Sequence, residues 1–354
     1  MRFTSSTRTW AAALAAIAIG GGVALATGRR AEVRPSAAAS VEPSAPLPAD
    51  LAATGLYADW ATKTIAAANR PFSPQYPLWT DGAKKRRWIQ LPSGSAIDAS
   101  SADAWQFPIG TRLWKEFAFG GHPVETRYME RTASGWRYAT YVWSEDGAHA
   151  TLAPSRGTKT SAEIAPGKHH DVPSESDCRV CHGNGTAPVL GFSALQLSGD
   201  RDPNALHHEP LAQGELDLPA LVREGLLRGH RGSTSPRIAA RTPTERAALG
   251  YLHANCGGCH RQDGALASLN MVLASSSEPH GELAHEAVFT TTLDQASRVT
   301  PTRMRIAPGA PDRSVVVERM RSRTPATQMP PLGTQLVDDE AVRLVSAWIE
   351  QLGH

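Results

Sequence analysis

All four cysteines of this 354-residue chain fall in two short clusters, Cys178-Arg179-Val180-Cys181-His182 and Cys256-Gly257-Gly258-Cys259-His260. A disulfide framework spreads its cysteines through a chain. A structural zinc site sets two C-x-x-C pairs ~15–20 residues apart, whereas Cys178 and Cys256 are 78 residues apart. A thioredoxin-like redox motif lies near a βαβ pattern, and neither cluster does. C-x-x-C-H is instead the attachment pattern of a c-type haem. On a helix, positions i, i+3 and i+4 share one face. Two thiols so placed form thioethers to the two vinyl groups of one porphyrin, and the adjacent histidine reaches the iron from the same side. The pattern predicts two covalently attached haem c groups. Cys178, Cys181, Cys256 and Cys259 are the anchors, and His182 and His260 the proximal iron ligands.

The amino terminus sets the compartment. Arg2 and Arg8 precede an uncharged apolar run from Trp10 to Ala26 that closes in Ala24-Leu25-Ala26. Basic start, apolar middle and small-residue end predict a signal peptide over 1–26 and export to the periplasm. An uncleaved anchor competes, but about 17 residues is the lower limit for a span, and Gly20-Gly21-Gly22 weakens the run as a helix. Residues 27–50, rich in Ala and Pro, read as a poorly ordered linker. A formal charge of +2 excludes a strongly basic nucleic-acid binder, and 41% hydrophobic residues exclude a multi-span membrane protein. No stable membrane span is expected after cleavage, and the expected partners are redox proteins.

The second cluster has a helical frame. Thr242-Pro243-Thr244-Glu245 is a capping box with proline at the first helical position, leading into Cys256. Asp338-Asp339-Glu340 opens a final helix, along which Val342, Val345, Trp348, Ile349 and Leu352 recur at helical spacing. Between them lies Gln328-Met329-Pro330-Pro331-Leu332-Gly333, a proline-restrained loop that suits Met329 as a distal thioether ligand. Met271, Met304 and Met320 are its rivals, with packing as the simpler role for Met271 and Met320. On Cys256, Cys259, His260, Met329-Pro330 and the final helix, the segment from Thr242 to His354 resembles a class I cytochrome c domain. That resemblance places Met329 opposite His260 at the iron.

The first cluster lacks such a frame. No methionine occurs between Gly183 and Asn255. His207 is the first downstream candidate for a sixth ligand, with His208 and His230 as rivals. His169, His170, His122 and Met129 stand upstream. The first iron is therefore either bis-His or open.

Ahead of both clusters the chain reads as a β meander, with strands over Thr111–Phe119, Val124–Arg131, Trp136–Trp143 and Ala148–Leu152. An earlier hairpin is expected between Lys84–Leu91 and Ala96–Ile97. Six of the nine tryptophans lie here, read as core or as a ligand platform. Lys84-Lys85-Arg86-Arg87 reads as a solvated edge or a docking patch for an acidic partner. The whole mature chain resembles a group of bacterial periplasmic di-haem c-type cytochromes, in which a tryptophan-rich β region precedes two haem motifs. The stretches that carry the resemblance are Tyr76-Pro77-Leu78-Trp79-Thr80-Asp81-Gly82, Trp114–Phe117, Glu125–Arg127, Asn255–His260, Ala307–Gly309 and Met329–Gly333.

The expected fold is multi-domain. A mainly-β, meander or sandwich-like domain (51–170) is followed by all-α cytochrome c-like haem units, an abbreviated first (171–235) and a class I-like second (236–354). The expected function is periplasmic electron transfer from a His-ligated or bis-His first haem to a His/Met second haem. The alternative is a di-haem oxidoreductase or peroxidase-like enzyme with an open first haem; of the two, the carrier is favoured.

Overall fold

Alternating aromatic and β-branched residues build most of the front of the chain into strands. The computed structural model describes residues 46–183, 187–264, 266–276 and 281–353; the predicted signal peptide and most of the predicted linker lie outside the described residues. In chain order the strands are β1 (Tyr57–Asp59), β2 (Thr64–Ile65), β3 (Arg70–Pro71), β4 (Lys84–Gln90), β5 (Ile97–Asp98), β6 (Arg112–Phe119), β7 (His122–Thr132), β8 (Gly135–Trp143), β9 (Ala150–Leu152), β10 (Thr158–Ala165) and β11 (Lys168–Val172). Helices α1 (Glu175–His182) and α2 (Leu218–Arg223) follow, then β12 (Leu227–Arg228), α3 (Pro243–Asn255), α4 (Gly281–Thr292), α5 (Val315–Arg321) and α6 (Asp339–Gln351).

The meander is present as a six-stranded antiparallel sheet ordered β3-β4-β6-β7-β8-β9. Its pleat separates two faces. One carries the row Trp88, Trp114, Tyr128 and Ala139, packed with Leu51, Leu56 and Tyr57. The other carries Ile89, Leu113, Met129 and Tyr138 in one row, and Arg87, Lys115, Arg127 and Thr140 in the next. Residues 46–50 lie against this sheet: Tyr141 Oη donates to the Pro48 carbonyl and Leu152 N to that of Ala49. Trp88, Trp105, Trp114 and Trp143 are buried.

Two sequence expectations are corrected. Ile97 does not return on β4; it pairs in parallel with Leu227, and Asp98 with Arg228. The chain behind the first cluster is mixed rather than all-α. Besides β12, it contains bridges joining Leu293 to Ile306, Ala296 to Met304 and Met304 to Ser314. The stretch between α4 and α5 has no helical apolar stripe, and its backbone groups pair across the loop instead. Pro43–His354 form one compact unit, so sheet and helices share buried surface.

Tyr76 shows how closely. Its ring is buried in the helical core with Leu249, Leu252 and Trp348, and its hydroxyl donates to Asp202 at 3.2 Å. A Cβ on Gly250 of α3 would overlap that ring. Glycine in mid-helix costs stability relative to alanine; here it makes room for the segment that leads from β3 to β4.

Candidate functional site

Helix α1 carries the first cluster. Ser174 and Asp177 form a reciprocal capping box at its start, with Glu175 and Asp177 at the positive helix end. Cys178, Cys181 and His182 share one face, as the spacing predicts. Tyr138 on β8 holds the far end, its hydroxyl donating to the His182 carbonyl at 3.1 Å and its ring 5.7 Å from the imidazole. His182 Nδ1 lies 2.7 Å from the Pro188 carbonyl. A carbonyl only accepts, so Nδ1 carries the proton and Nε2 keeps its lone pair. Burial pulls the His182 pKa down to about 4 against the opposing carbonyl, so the ring is neutral. A neutral imidazole with its other nitrogen fixed by a carbonyl has the tautomer that a metal-ligating histidine adopts.

Helix α3 leads to the second cluster. Thr242 accepts from Glu245 N, Pro243 begins the helix, and Cys256 caps it. Cys259 N and His260 N then bond back to the Cys256 carbonyl at 3.1 and 2.9 Å, so the motif turns immediately beyond the helix. His260 is buried. Burial lowers its pKa, opposed by the Met271 main chain, and its Nδ1 has no hydrogen-bond partner. Met329 and Cys256 line one small cleft, together with Met320 and Arg323. The loop bearing Met329 is stapled from within. Gln328 Nε2 donates to the Pro330 and Pro331 carbonyls at 3.3 Å, and Met329 N to Arg319 O at 2.9 Å. Met320 packs inward from α5 and Met271 lies against the same core. Met304 is exposed.

A histidine on α3 gives this region an acid limit. His253 Nδ1 accepts from Ser275 N at 3.0 Å, so its proton sits on Nε2 and protonation would destroy the acceptor. Burial pulls its pKa from 6.5 to about 4. The unfolded chain therefore binds the extra proton first, and stability that is complete above pH 6.5 is lost as pH falls toward 4. About 2 kcal/mol is the expected loss, discounted for partial exposure. His253→Asn, whose amide oxygen replaces Nδ1 as acceptor, should flatten thermal unfolding midpoints measured between those pH values.

The fold brings the two clusters together. The Cys181 and Cys259 thiols lie close enough to perturb each other, which pushes Cys181 up and draws Cys259 down. All four cysteines are free. Leu190, two residues beyond the carbonyl that holds His182, faces Gly258. Among the described residues no group of three or more His, Cys, Asp or Glu side chains converges as a metal-binding set. The donor set at each motif, two thiols with a neutral imidazole, fits a c-type haem.

The other candidate ligands are dispersed. His207 Nε2 is bonded to Asp338 at 2.8 Å, and its ring lies 4.9 Å from Trp79. His208 Nδ1 faces the Ala205 carbonyl, which leaves its Nε2 available, and both histidines line an open cleft of about 580 Å³ with Trp79, Lys85 and Arg87. His230 Nε2 is buried without a partner. His169 is exposed on β11 and His122 at the start of β7. His170 is buried and bonded through Nε2 to Glu125 at 3.1 Å. Met129 packs into the apolar cluster of Phe107 and Phe192.

The sheet face beneath α1 holds charge that the sequence did not place. The basic run 84–87 alternates on β4: Lys84 and Arg86 are exposed, Lys85 and Arg87 buried. Arg87 stands directly opposite Lys115, and Lys115 opposite Arg127. Burial pulls Arg87 down to about 10, Lys85 to about 7, and Lys115 well below the usual lysine range. Glu125 is fully buried, salt-bridged to Arg127 at 2.6 Å.

No protein-family model, curated protein or solved structure matches this chain. No helix among the described residues is long and apolar enough to cross a membrane.

Proposed function

We propose that this chain is an exported di-haem c-type cytochrome that passes electrons between two closely spaced haems, without a substrate of its own. The observation that carries the reading is that the two C-x-x-C-H motifs are neighbours, with Leu190 behind the first facing Gly258 of the second and the Cys181 and Cys259 thiols perturbing each other. Haem attached at each motif supplies a one-electron iron couple, and neighbouring motifs place two such couples side by side. His260 and Met329 would hold the second haem. His182 and, of the three downstream histidines, His208 would hold the first. His207, the first candidate downstream in the sequence, has its Nε2 bonded to Asp338. A His/Met site has the higher potential, so electrons run from the first haem to the second.

The test is to make the chain with haem-attachment machinery and weigh it intact. Two covalent haems are expected. The double variant Cys178→Ser/Cys181→Ser should lose one, and Cys256→Ser/Cys259→Ser the other. Both irons should be low-spin in EPR and unmoved by cyanide. A chain without covalent haem sinks the proposal; a cyanide-sensitive first iron turns it into the enzyme alternative.

A further inference from the structure

The cations under α1 outnumber the acids that touch them: of Arg87, Lys115 and Arg127, only Arg127 is salt-bridged, to Glu125. Arg87, Lys115 and Arg127 face one another across three adjacent strands, where like charges directly opposite destabilise a sheet. Arg87 is 8% exposed. Glu125 answers Arg127 and His170. Among the described residues, no acid forms a salt bridge with Arg87 or Lys115. Glu209 and Glu215 act on Arg87, and Glu125 on Lys115, only from beyond salt-bridge distance, so three cations in one row have a single carboxylate seated against them, and that excess of positive charge suits an anion.

The location limits which anion. Tyr138, in the neighbouring row of the same face, holds the His182 carbonyl, so the cations lie directly beside the first motif. At their other end, Lys85 and Arg87 open into the cleft that His208 lines. Arg87 is buried and Lys115 and Arg127 are half-buried, so a carboxylate on a thin flexible arm reaches them more readily than a protein surface does. A haem tethered at Cys178 and Cys181 carries two carboxylates on flexible arms and has no other cationic row on this sheet face. We infer that the inner sheet face is a carboxylate-binding surface for the two propionates of the first haem, with Arg87, Lys115 and Arg127 as their counter-charges. The inference rests on the function proposed above and gives the β-rich half of the chain a task within it.

The experiment measures the reduction potential of each haem in the fully matured chain. A cation near the iron favours the reduced state, so its removal lowers the potential. Lys115→Met, which keeps volume and deletes the charge, should weaken reduction of the first haem about tenfold, which is about 59 mV for one electron. Arg87→Gln should act in the same direction, and neither should move the second haem. Lys115→Met is expected to fold, because deleting an unpaired buried charge is rarely costly. Intact mass separates the possible failures. Wild-type chain without haem overturns the functional reading together with this inference. Two haems and unmoved potentials in both variants overturn the inference alone. It is also overturned if the wild-type potential responds to added phosphate at constant ionic strength, since that is the mark of a free oxyanion and not of a tethered propionate.

Discussion

Met329→Ala should, under the proposed function, drop the potential of the second haem by a sizeable part of the ~0.8 V span that axial ligation controls. Thioether ligation raises the potential, and without Met329 the iron takes water or a stronger base. The prediction is specific because Met320 lines the same cleft. Met320 is buried on α5 among core residues, so Met320→Leu, which nearly conserves volume, should cost less than 1.5 kcal/mol and leave the spectrum unchanged. Potentiometry on both variants settles which sulfur is used. If Met329→Ala retains the wild-type potential, the His260/Met329 assignment fails, whatever becomes of the first haem.

Trp348→Ala should be the most destabilising single change, about 3–5 kcal/mol in a denaturant titration. Trp348 is 0% exposed on α6. It packs with Leu252 and Tyr76, meets Phe289 edge-on at 6.1 Å, and donates from Nε1 to buried Glu245 at 3.2 Å. Glu245 belongs to α3, the helix that ends at Cys256. The same residue thus links the final helix to the second motif, so the loss should appear in ligation as well as in the unfolding midpoint. Trp348→Phe keeps most of the apolar volume and should lose about 1–2 kcal/mol, much of it from the missing N–H donor. Equal costs for the two variants would mean that the indole volume contributes nothing, contrary to its burial.

What the sequence disclosed was local. Thr242 and Pro243 announce α3, Asp338 announces α6, and glycine turns separate β6, β7 and β8, because caps and turns are made by residues a few positions apart. The β10–β11 hairpin went unread, since Thr158–Ala165 and Lys168–Val172 are largely polar and carry little alternation. The all-α expectation failed at a long-range contact. Leu227–Arg228 joins Ile97–Asp98 across 130 residues, and nothing in either dipeptide names the other. The basic run 84–87 was misjudged for a related reason. Read alone, four charges suggest an exposed edge, but β4 pairs with β6 along its whole length, from Lys84 to Gln90. Alternate residues of a strand point to opposite faces whatever their charge, so Lys85 and Arg87 turn inward. The motif residues were legible; that Cys181 would meet Cys259 was not, because that proximity exists only once sheet, α1 and α3 have closed.

That meeting bears on the order of assembly. Under the proposed export, neighbouring thiols in an oxidising compartment are also a pair that oxidation joins, and a cross-link between Cys181 and Cys259 would take one anchor from each haem. Under the proposed function, thioether formation must therefore outrun closure, with each motif loaded on a chain still open at the junction of α1 and α3. The porphyrins then occupy the space in which the two sulfurs would otherwise find each other. On this view they act as late templates of the architecture, and a chain that closes before them is trapped empty.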